Sequence, residues 1–181
     1  SPSATIMIGT GFGLKHEQQS LGDVLVSQSL ATYDLELKET AQSVNLGVIT
    51  CGGAHLSSLF KYVDTHDWEF VSSKVRRGQL LSGSKVVRSA DIANQLKERY
   101  PVAIGGETEG DGVYHACRAS GQEWIVVKGI SHFGGLSSKN AENSEEVQAF
   151  AAAAATSLVL HTLSSDSLKG LGCVARTDGT F

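Results

Sequence analysis

Three carboxylates fall within five residues, in the run Glu107-Thr108-Glu109-Gly110-Asp111. The run separates an apolar segment from a segment of helical character, so it lies where a predicted strand passes into a predicted helix. Neighbouring negative charges repel one another, and a helix N-terminus offsets only part of that repulsion. The run is therefore either a solvated helix start or part of a pocket in which a carboxylate accepts hydrogen bonds from sugar hydroxyls.

Two further stretches adjoin predicted strands but match no hydrolase or dinucleotide signature. Ser131-His132 follows an apolar strand, yet the run 129–133 lacks the second glycine of a G-x-S-x-G nucleophile elbow. The run Gly9-Thr10-Gly11-Phe12-Gly13 has leucine next, where a dinucleotide-binding motif needs its third glycine, and too few residues follow for a crossover helix. This glycine run is interpreted as a turn, either purely structural or touching a small ligand.

The remaining ionisable residues indicate no metal site. His16-Glu17 lacks the second histidine of an H-E-x-x-H motif, and the other isolated histidines have no partner at ligand spacing. The basic cluster Lys74-Val75-Arg76-Arg77 is interpreted as a solvated face, with an anion site as the less favoured alternative. The cysteines Cys51, Cys117 and Cys173 form no C-x-x-C pair, so neither a zinc knuckle nor a thioredoxin-type redox site is predicted, and one disulfide remains open. No cofactor is expected.

The composition is that of a single globular domain. The chain has 181 residues, of which 41% are hydrophobic and 19% charged, which suits a packed core. Its formal net charge of −4 argues against nucleic acid as a partner, because phosphate backbones bind basic surfaces. No continuous apolar run reaches the roughly 18 residues of a membrane span, so no membrane partner is expected. A reducing, cytoplasmic location is the default, and secretion is left open.

Strand and helix patterns alternate along the chain, which predicts an α/β fold. Apolar runs predict strands at 4–9, 23–30, 46–51, 78–87, 102–106 and 124–130, and helical periodicity predicts helices at about 55–63, 89–100, 110–120 and 144–163. The stretch 102–130 then forms a β-α-β unit, which implies parallel strands. Because ligands bind beyond the carboxyl ends of such strands, the run 107–109 and the pair 131–132 are expected at one edge.

Several of these segments together resemble the nucleoside phosphorylase/nucleosidase superfamily, most closely its methylthioadenosine/S-adenosylhomocysteine nucleosidase branch. The matching segments, in order, are 6–11, 21–27, 78–85, 103–110, 124–131 and the Ala-rich last helix. The resemblance implies a three-layer α/β sandwich around a mixed, partly barrel-like sheet, usually in a homo-oligomer. It also implies cleavage of a nucleoside N-glycosidic bond by water or phosphate, through an oxocarbenium-like state that a carboxylate near the sugar hydroxyls stabilises.

The resemblance assigns roles by position. Glu107, Thr108 and Glu109 would form the ribose site, with Glu109 on the sugar hydroxyls and Thr108 where the family usually has methionine. The base would lie against residues of two later segments, and Thr10 with Gly11 would border the nucleophile or phosphate pocket. The residues of the base site are Val86, Val87, Ser131 and His132, the last in the place of the aspartate that assists the departing base.

Departures from the family pattern favour a binding function over catalysis. The family's opening strands, with the glutamate that activates water, have no counterpart, and Met7 stands where many phosphorylases carry a phosphate-binding arginine. His132 replaces the acid. The sequence is therefore interpreted as a degenerate, non-catalytic member that binds a nucleoside or a sugar, as a lectin would. An active purine nucleosidase and a storage or assembly protein are the alternatives. A sheet without its opening strands is expected to self-associate or to be completed by a companion segment.

Overall fold

Three strands precede the first helix, and from there helices and strands alternate, in the predicted order of elements. The computed structural model describes residues 3–33, 49–63, 65, 67–84, 86–87, 89–134 and 145–164. The strands in these ranges are β1 (Ala4–Gly13), β2 (Val24–Thr32), β3 (Ile49–Cys51), β4 (Val75–Ser82), β5 (Ala103–Glu107) and β6 (Glu123–Phe133). The helices are α1 (Ala54–Tyr62), α2 (Ala90–Arg99), α3 (Gly110–Ser120) and α4 (Glu145–Ser164).

The largest boundary error concerns β4, which was predicted at 78–87. The strand instead begins at Val75 and ends at Ser82. The prediction that the basic cluster is a solvated face is wrong for its two arginines, which lie half-buried on this strand. Arg76 Nε is 3.0 Å from Oδ2 of the buried Asp23, and Arg77 Nε donates to the Phe60 carbonyl at 2.8 Å. Because both guanidinium groups have internal partners, the strand accommodates them.

The sheet order is β3-β2-β4-β5-β1-β6, and an additional pairing of β2 with β6 closes five of these strands into a barrel. β2, β4 and β5 run parallel to one another. β1 and β6 are parallel to each other, whereas β1 is antiparallel to β5, and β6 is antiparallel to β2. The mixed, partly barrel-like sheet that the resemblance implies is confirmed. Whether a companion segment or a second copy completes the fold stays a prediction.

The prediction of a parallel β-α-β unit over 102–130 is wrong, because β1 is inserted between β5 and β6. Glycines permit this insertion. A Cβ on Gly11 of β1 would lie 2.6 Å from the Gly106 carbonyl oxygen, and a Cβ on Gly105 of β5 would lie 2.4 Å from the Phe12 carbonyl oxygen. Since real Cβ atoms essentially never approach backbone this closely, the contact between β1 and β5 requires glycine on both strands.

The two faces of the barrel wall have different partners. Val24, Val26, Ile125 and Val127 pack outward against α1 and α4, whereas Leu25, Val126 and their neighbours fill a second core cluster. This alternation is the period-two pattern of strands buried on both faces. Consequently, successive residues of β6 lie in different environments. The side chain of Lys128 projects from the same face as Val126, not from the face that packs against α4.

Helix α4 is long and apolar enough to cross a membrane, a possibility that the search for continuous apolar runs passed over. Within the described residues, one face of α4 packs on the sheet and other positions are exposed, among them Leu160. Ala151, Ala154 and Leu158 are fully buried, and α4 packs on β6 and β1. Gly129 makes the close approach possible, because a Cβ there would lie 1.9 Å from the Ala151 carbonyl oxygen.

Candidate functional site

A buried lysine and two glutamates form the polar centre of the described structure. Lys128 Nζ lies 2.8 Å from Glu109 Oε2 and 3.7 Å from Glu107 Oε2. The exposed fractions of the three side chains are 3% for Lys128, 0% for Glu107 and 59% for Glu109. We call these three residues the Lys128 cluster. A lysine is rarely so buried unless it is paired, so the two carboxylates account for its position in the sheet.

Glu107, the last residue of β5, holds the beginning of α3. Its Oε2 accepts hydrogen bonds from the backbone N–H groups of Glu109 and Gly110, at 2.9 and 2.8 Å. These are N–H groups that a helix start leaves without partners in its own backbone. Glu107 Oε1 is buried, and no hydrogen-bond partner for it occurs among the described residues. Glu107 therefore combines a structural role through Oε2, which also lies 3.7 Å from Lys128 Nζ, with one buried acceptor oxygen, Oε1.

Glu109 carries the exposed carboxylate of the cluster. Lys128 donates to its Oε2 at 2.8 Å, and the Thr108 hydroxyl donates to its Oε1 at 2.8 Å. Burial acts to raise the pKa of Glu109, but the hydrogen bonds from Lys128 and Thr108, with the charge of Lys128, outweigh it and hold the pKa below its ordinary value. At neutral pH the group is thus an ionised acceptor that solvent or a ligand can reach.

Asp111, the third acid of the run, has its ion-pair partner on α3 rather than in the Lys128 cluster. Its carboxylate lies 3.6 Å from His115 Nε2, one helical turn along α3, and its backbone N–H donates to the Ser82 hydroxyl. The acidic run therefore has three separate functions in the structure. Glu107 supports the helix, Asp111 pairs along it, and Glu109 presents the exposed carboxylate that contacts Lys128.

The glycine run of β1 borders the cluster through its glycines. A Cβ on Gly9 would lie 3.1 Å from Lys128 Nζ, and a Cβ on Gly11 would lie 3.3 Å from Lys128 Cβ. Thr10 pairs with Gly129, whose missing side chain faces α4, so strand alternation places Thr10 on that opposite face. The structure brings Gly11 to the Lys128 cluster and does not bring Thr10 there; that the two residues border a nucleophile or phosphate pocket stays a prediction.

Ser131 and His132 extend the site beyond Lys128 along β6. The Ser131 hydroxyl is 3.3 Å from the Gly11 carbonyl oxygen and 3.1 Å from His132 Nδ1. Because a hydroxyl has one proton, donation by Ser131 to the carbonyl requires that His132 Nδ1 donate to Ser131. Such an arrangement would fix the imidazole tautomer with its proton on Nδ1.

Phe12 lies close to the residues that the resemblance assigns to the base site. Its ring centroid is 6.1 Å from that of His132, and Phe12 and Val87 belong to one buried cluster. Val87 is 2% exposed, whereas Val86 is 50% exposed. Val87 therefore contributes to the wall behind Phe12, and Val86 presents an apolar side chain to solvent.

Sequence reasoning missed Lys128 and Phe12. A signal for the lysine was present, since Lys128 is a lone charge inside the apolar run Trp124-Ile125-Val126-Val127-Lys128-Gly129-Ile130. A charge in a strand buried on both faces needs a partner, and the acidic run offers one. Within the described ranges, no three His, Cys, Asp or Glu side chains group so as to hold a metal.

Comparison with known proteins relates the chain to nucleosidases. No family model matches it. It is 28% identical over 186 residues to a death domain-containing ATP nucleosidase of Amphimedon queenslandica, covering 91% of this chain and 34% of that protein. It is also 28% identical over 157 residues to a 5'-methylthioadenosine/S-adenosylhomocysteine nucleosidase of Haemophilus influenzae, covering 86% of this chain and 65% of that one. The chain thus spans less than two thirds of either relative.

Solved structures share the fold at lower identity. The methylthioadenosine/S-adenosylhomocysteine nucleosidase of Colwellia psychrerythraea, in complex with adenine, matches with a TM-score of 0.73 and 19% identity, covering 89% of this chain and 66% of that one. The futalosine hydrolase of Helicobacter pylori matches with a TM-score of 0.72 and 19% identity, covering 89% and 67%. These matches show that the chain shares the fold of these proteins.

Proposed function

We propose that this chain, a distant relative of the methylthioadenosine/S-adenosylhomocysteine nucleosidases in the nucleoside phosphorylase/nucleosidase superfamily, binds a purine nucleoside by its sugar and cleaves it poorly or not at all at neutral pH. The observation that carries the proposal is the Lys128 cluster. It holds one ionised carboxylate, that of Glu109, exposed beside an otherwise buried charge network.

The sugar contact follows from the chemistry of a carboxylate. An ionised carboxyl group has two oxygens that only accept, so it can receive both hydroxyl protons of a vicinal diol. Hydrogen bonds from hydroxyls to a charged acceptor are short and strong. Lys128 and Thr108 each hold one oxygen of Glu109, which fixes the orientation of the carboxylate before a ligand arrives.

The base would lie toward Phe12 and His132. Loss of a purine from a sugar requires a proton or a hydrogen bond at the departing nitrogen. A neutral imidazole has one donor and one acceptor nitrogen, and His132 Nδ1 already lies 3.1 Å from the Ser131 hydroxyl. A histidine held in this way replaces a carboxylic acid imperfectly as a donor to the departing base, which favours binding over turnover.

A working nucleosidase is the second candidate. It is favoured by the intact charge network of Glu107, Glu109 and Lys128 and by relatives whose names describe ATP and methylthioadenosine/S-adenosylhomocysteine nucleosidases. Both candidates use the same sugar contact and share an adenine nucleoside or nucleotide as ligand. They differ only in whether the N-glycosidic bond breaks.

Titration calorimetry of the full chain with adenosine, methylthioadenosine and ribose tests the shared contact. Glu109→Gln should weaken nucleoside binding about tenfold or more, because it removes a charged acceptor. Asp111→Asn is the matched control, since it neutralises an acid of the same run that faces His115. Equal affinity of the native chain and Glu109→Gln would refute the proposed sugar site.

A further inference from the structure

A cavity with both polar and apolar lining lies on the opposite side of the barrel wall from the Lys128 cluster. It has a volume of about 200 Å³ and is bordered by α1, β2, β4 and β6. Ile125 of β6 lines this cavity and projects from the face that packs against α1 and α4. Lys128 projects from the opposite face of the same strand. The cavity is therefore separate from the proposed nucleoside site.

Two cations and several neutral hydrogen-bonding groups line this cavity. The cations are Arg77 of β4 and Lys61 of α1. Ser57 and Ser58 lie on the same side of α1 as Lys61, at spacings of four and three residues, and Gln28 of β2 adds an amide. None of the lining residues is acidic. This set of groups offers donors to an anion and no negative charge to repel it.

Arg77 is a half-buried cation whose charge is not balanced by any described carboxylate. Its one hydrogen bond to a described residue goes from Nε to the Phe60 carbonyl, at 2.8 Å, which fixes the guanidinium against α1. Burial lowers the pKa of Arg77, as expected for a charge moved out of water without a negative partner nearby. Lys61 likewise forms no ion pair with the described residues, and its Nζ lies 4.9 Å from the centroid of the Tyr62 ring.

We propose that this cavity is a binding site for a phosphate group. Guanidinium groups recognise phosphate by paired N–H donors in a planar fork, and an ammonium adds a second positive charge. The remaining N–H groups of Arg77 and the hydroxyls of Ser57 and Ser58 are suited to the several acceptor oxygens of a phosphate. The small volume selects inorganic phosphate or the phosphate of a small phosphomonoester rather than a peptide or a nucleic acid.

Phosphate titration of the full chain, by calorimetry at constant ionic strength, tests this site. Lys61→Met and Arg77→Met should each weaken binding about tenfold or more, as the loss of a charged hydrogen-bonding partner predicts. Lys74→Met removes one positive charge from an exposed residue outside the cavity and should leave the affinity unchanged. Since Lys61 is exposed, its variant should fold even if Arg77→Met does not.

Amide chemical shifts locate the bound anion. Inorganic phosphate and glycerol phosphate should both perturb the amides of Ser57, Ser58 and Arg77. The ligand that binds more tightly identifies whether the site takes free phosphate or a phosphomonoester. Shifts confined to Gly9 and Lys128 would place the anion in the other site and overturn the proposal. Absence of saturable binding, or equal binding by native chain and Lys61→Met, would overturn it as well.

Discussion

The Lys128 ammonium and the Glu109 carboxylate are 2.8 Å apart, although one side chain is almost fully buried and the other is mostly exposed. The buried cation extends from β6, and the exposed anion stands at the start of α3. A single ion pair thus connects the barrel to the helix that follows β5. This geometry gives the two partners unequal importance for folding.

Lys128→Met should destabilise the chain much more than Glu109→Gln. Removing Lys128 leaves the carboxylate of Glu107 buried without its cation, a change that costs about 3 kcal/mol. Removing the charge of Glu109 changes a carboxylate that is 59% exposed and leaves Lys128 paired with Glu107, so it should cost less, about 1 kcal/mol. Urea unfolding monitored by circular dichroism measures the free energy of unfolding of both variants. Similar losses of stability would contradict the assignment of Lys128 as the buried partner and Glu109 as the exposed one.

Thr108→Val should move the titration of Glu109 to higher pH. A carboxyl group with a depressed pKa in the folded state contributes stability above its unfolded pKa of about 4.3, and that contribution is lost as the pH falls through the lower folded value. Because Glu109 stays ionised over this range, its contribution to nucleoside affinity should not change between pH 8 and about pH 5. Removing the Thr108 hydroxyl removes one cause of the depression, and an NMR titration of the Glu109 carboxyl carbon records the shift. An unchanged midpoint would show that the hydrogen bond is absent in solution.

Glu123→Gln should loosen the first turn of α1 and flatten the acid dependence of stability. Glu123 accepts from the backbone N–H groups of His55 and Leu56 and lies 2.8 Å from His55 Nδ1. Burial acts to raise the pKa of Glu123, but these hydrogen bonds and the charge of His55 lower it overall. The stabilisation is present above the unfolded pKa of about 4.3 and disappears as acid protonates the folded carboxyl.

Hydrogen exchange tests this cap directly. The amides of His55 and Leu56 should exchange faster in Glu123→Gln, whereas Glu98→Gln, which alters an exposed glutamate of α2, should leave them unchanged. Equal protection in the native chain and Glu123→Gln would exclude Glu123 as the cap of α1.

Two glycine-to-alanine substitutions should act in opposite directions. Gly11→Ala places a Cβ 2.6 Å from a backbone oxygen of β5, so the strands must separate and both stability and ligand affinity should fall. Gly112→Ala introduces a Cβ with nothing within 4 Å on an exposed position of α3, and should stabilise the chain by about 1 kcal/mol. Thermal unfolding of the pair checks the prediction, which fails if Gly11→Ala is neutral.

Local patterns predicted the elements well because each strand and helix carries its own periodicity. The apolar run that ends near Ile130 and the helical spacing of Val147, Ala151 and Leu158 are properties of neighbouring residues. The insertion of β1 beside β5 is not such a property. It depends on the close approach of Gly11 to Gly106 and of Gly105 to Phe12. These residues are far apart in the chain, and the local pattern presents the glycines only as turn or strand glycines.

The residues of the candidate site likewise include some that the local sequence identifies and some that it does not. Glu109 could be identified from its neighbours, because clustered acids at a helix start need an explanation. The different functions of Glu107 and Asp111 could not, since they depend on which backbone N–H groups and which histidine each side chain meets. Lys128 was visible as a charge in an apolar strand, but its partner was identifiable only once β6 and the start of α3 were placed together.

Release of free base most directly tests whether the site binds a nucleoside or cleaves it. Adenosine, methylthioadenosine and ATP are incubated with the native chain and with His132→Asp from pH 5 to 8, and the base is quantified by chromatography. The proposed function predicts binding of a nucleoside with negligible release at pH 7, and a gain of activity in His132→Asp. Turnover on the order of 1 s⁻¹ by the native chain at pH 7, within the ordinary range of enzymes, would contradict it.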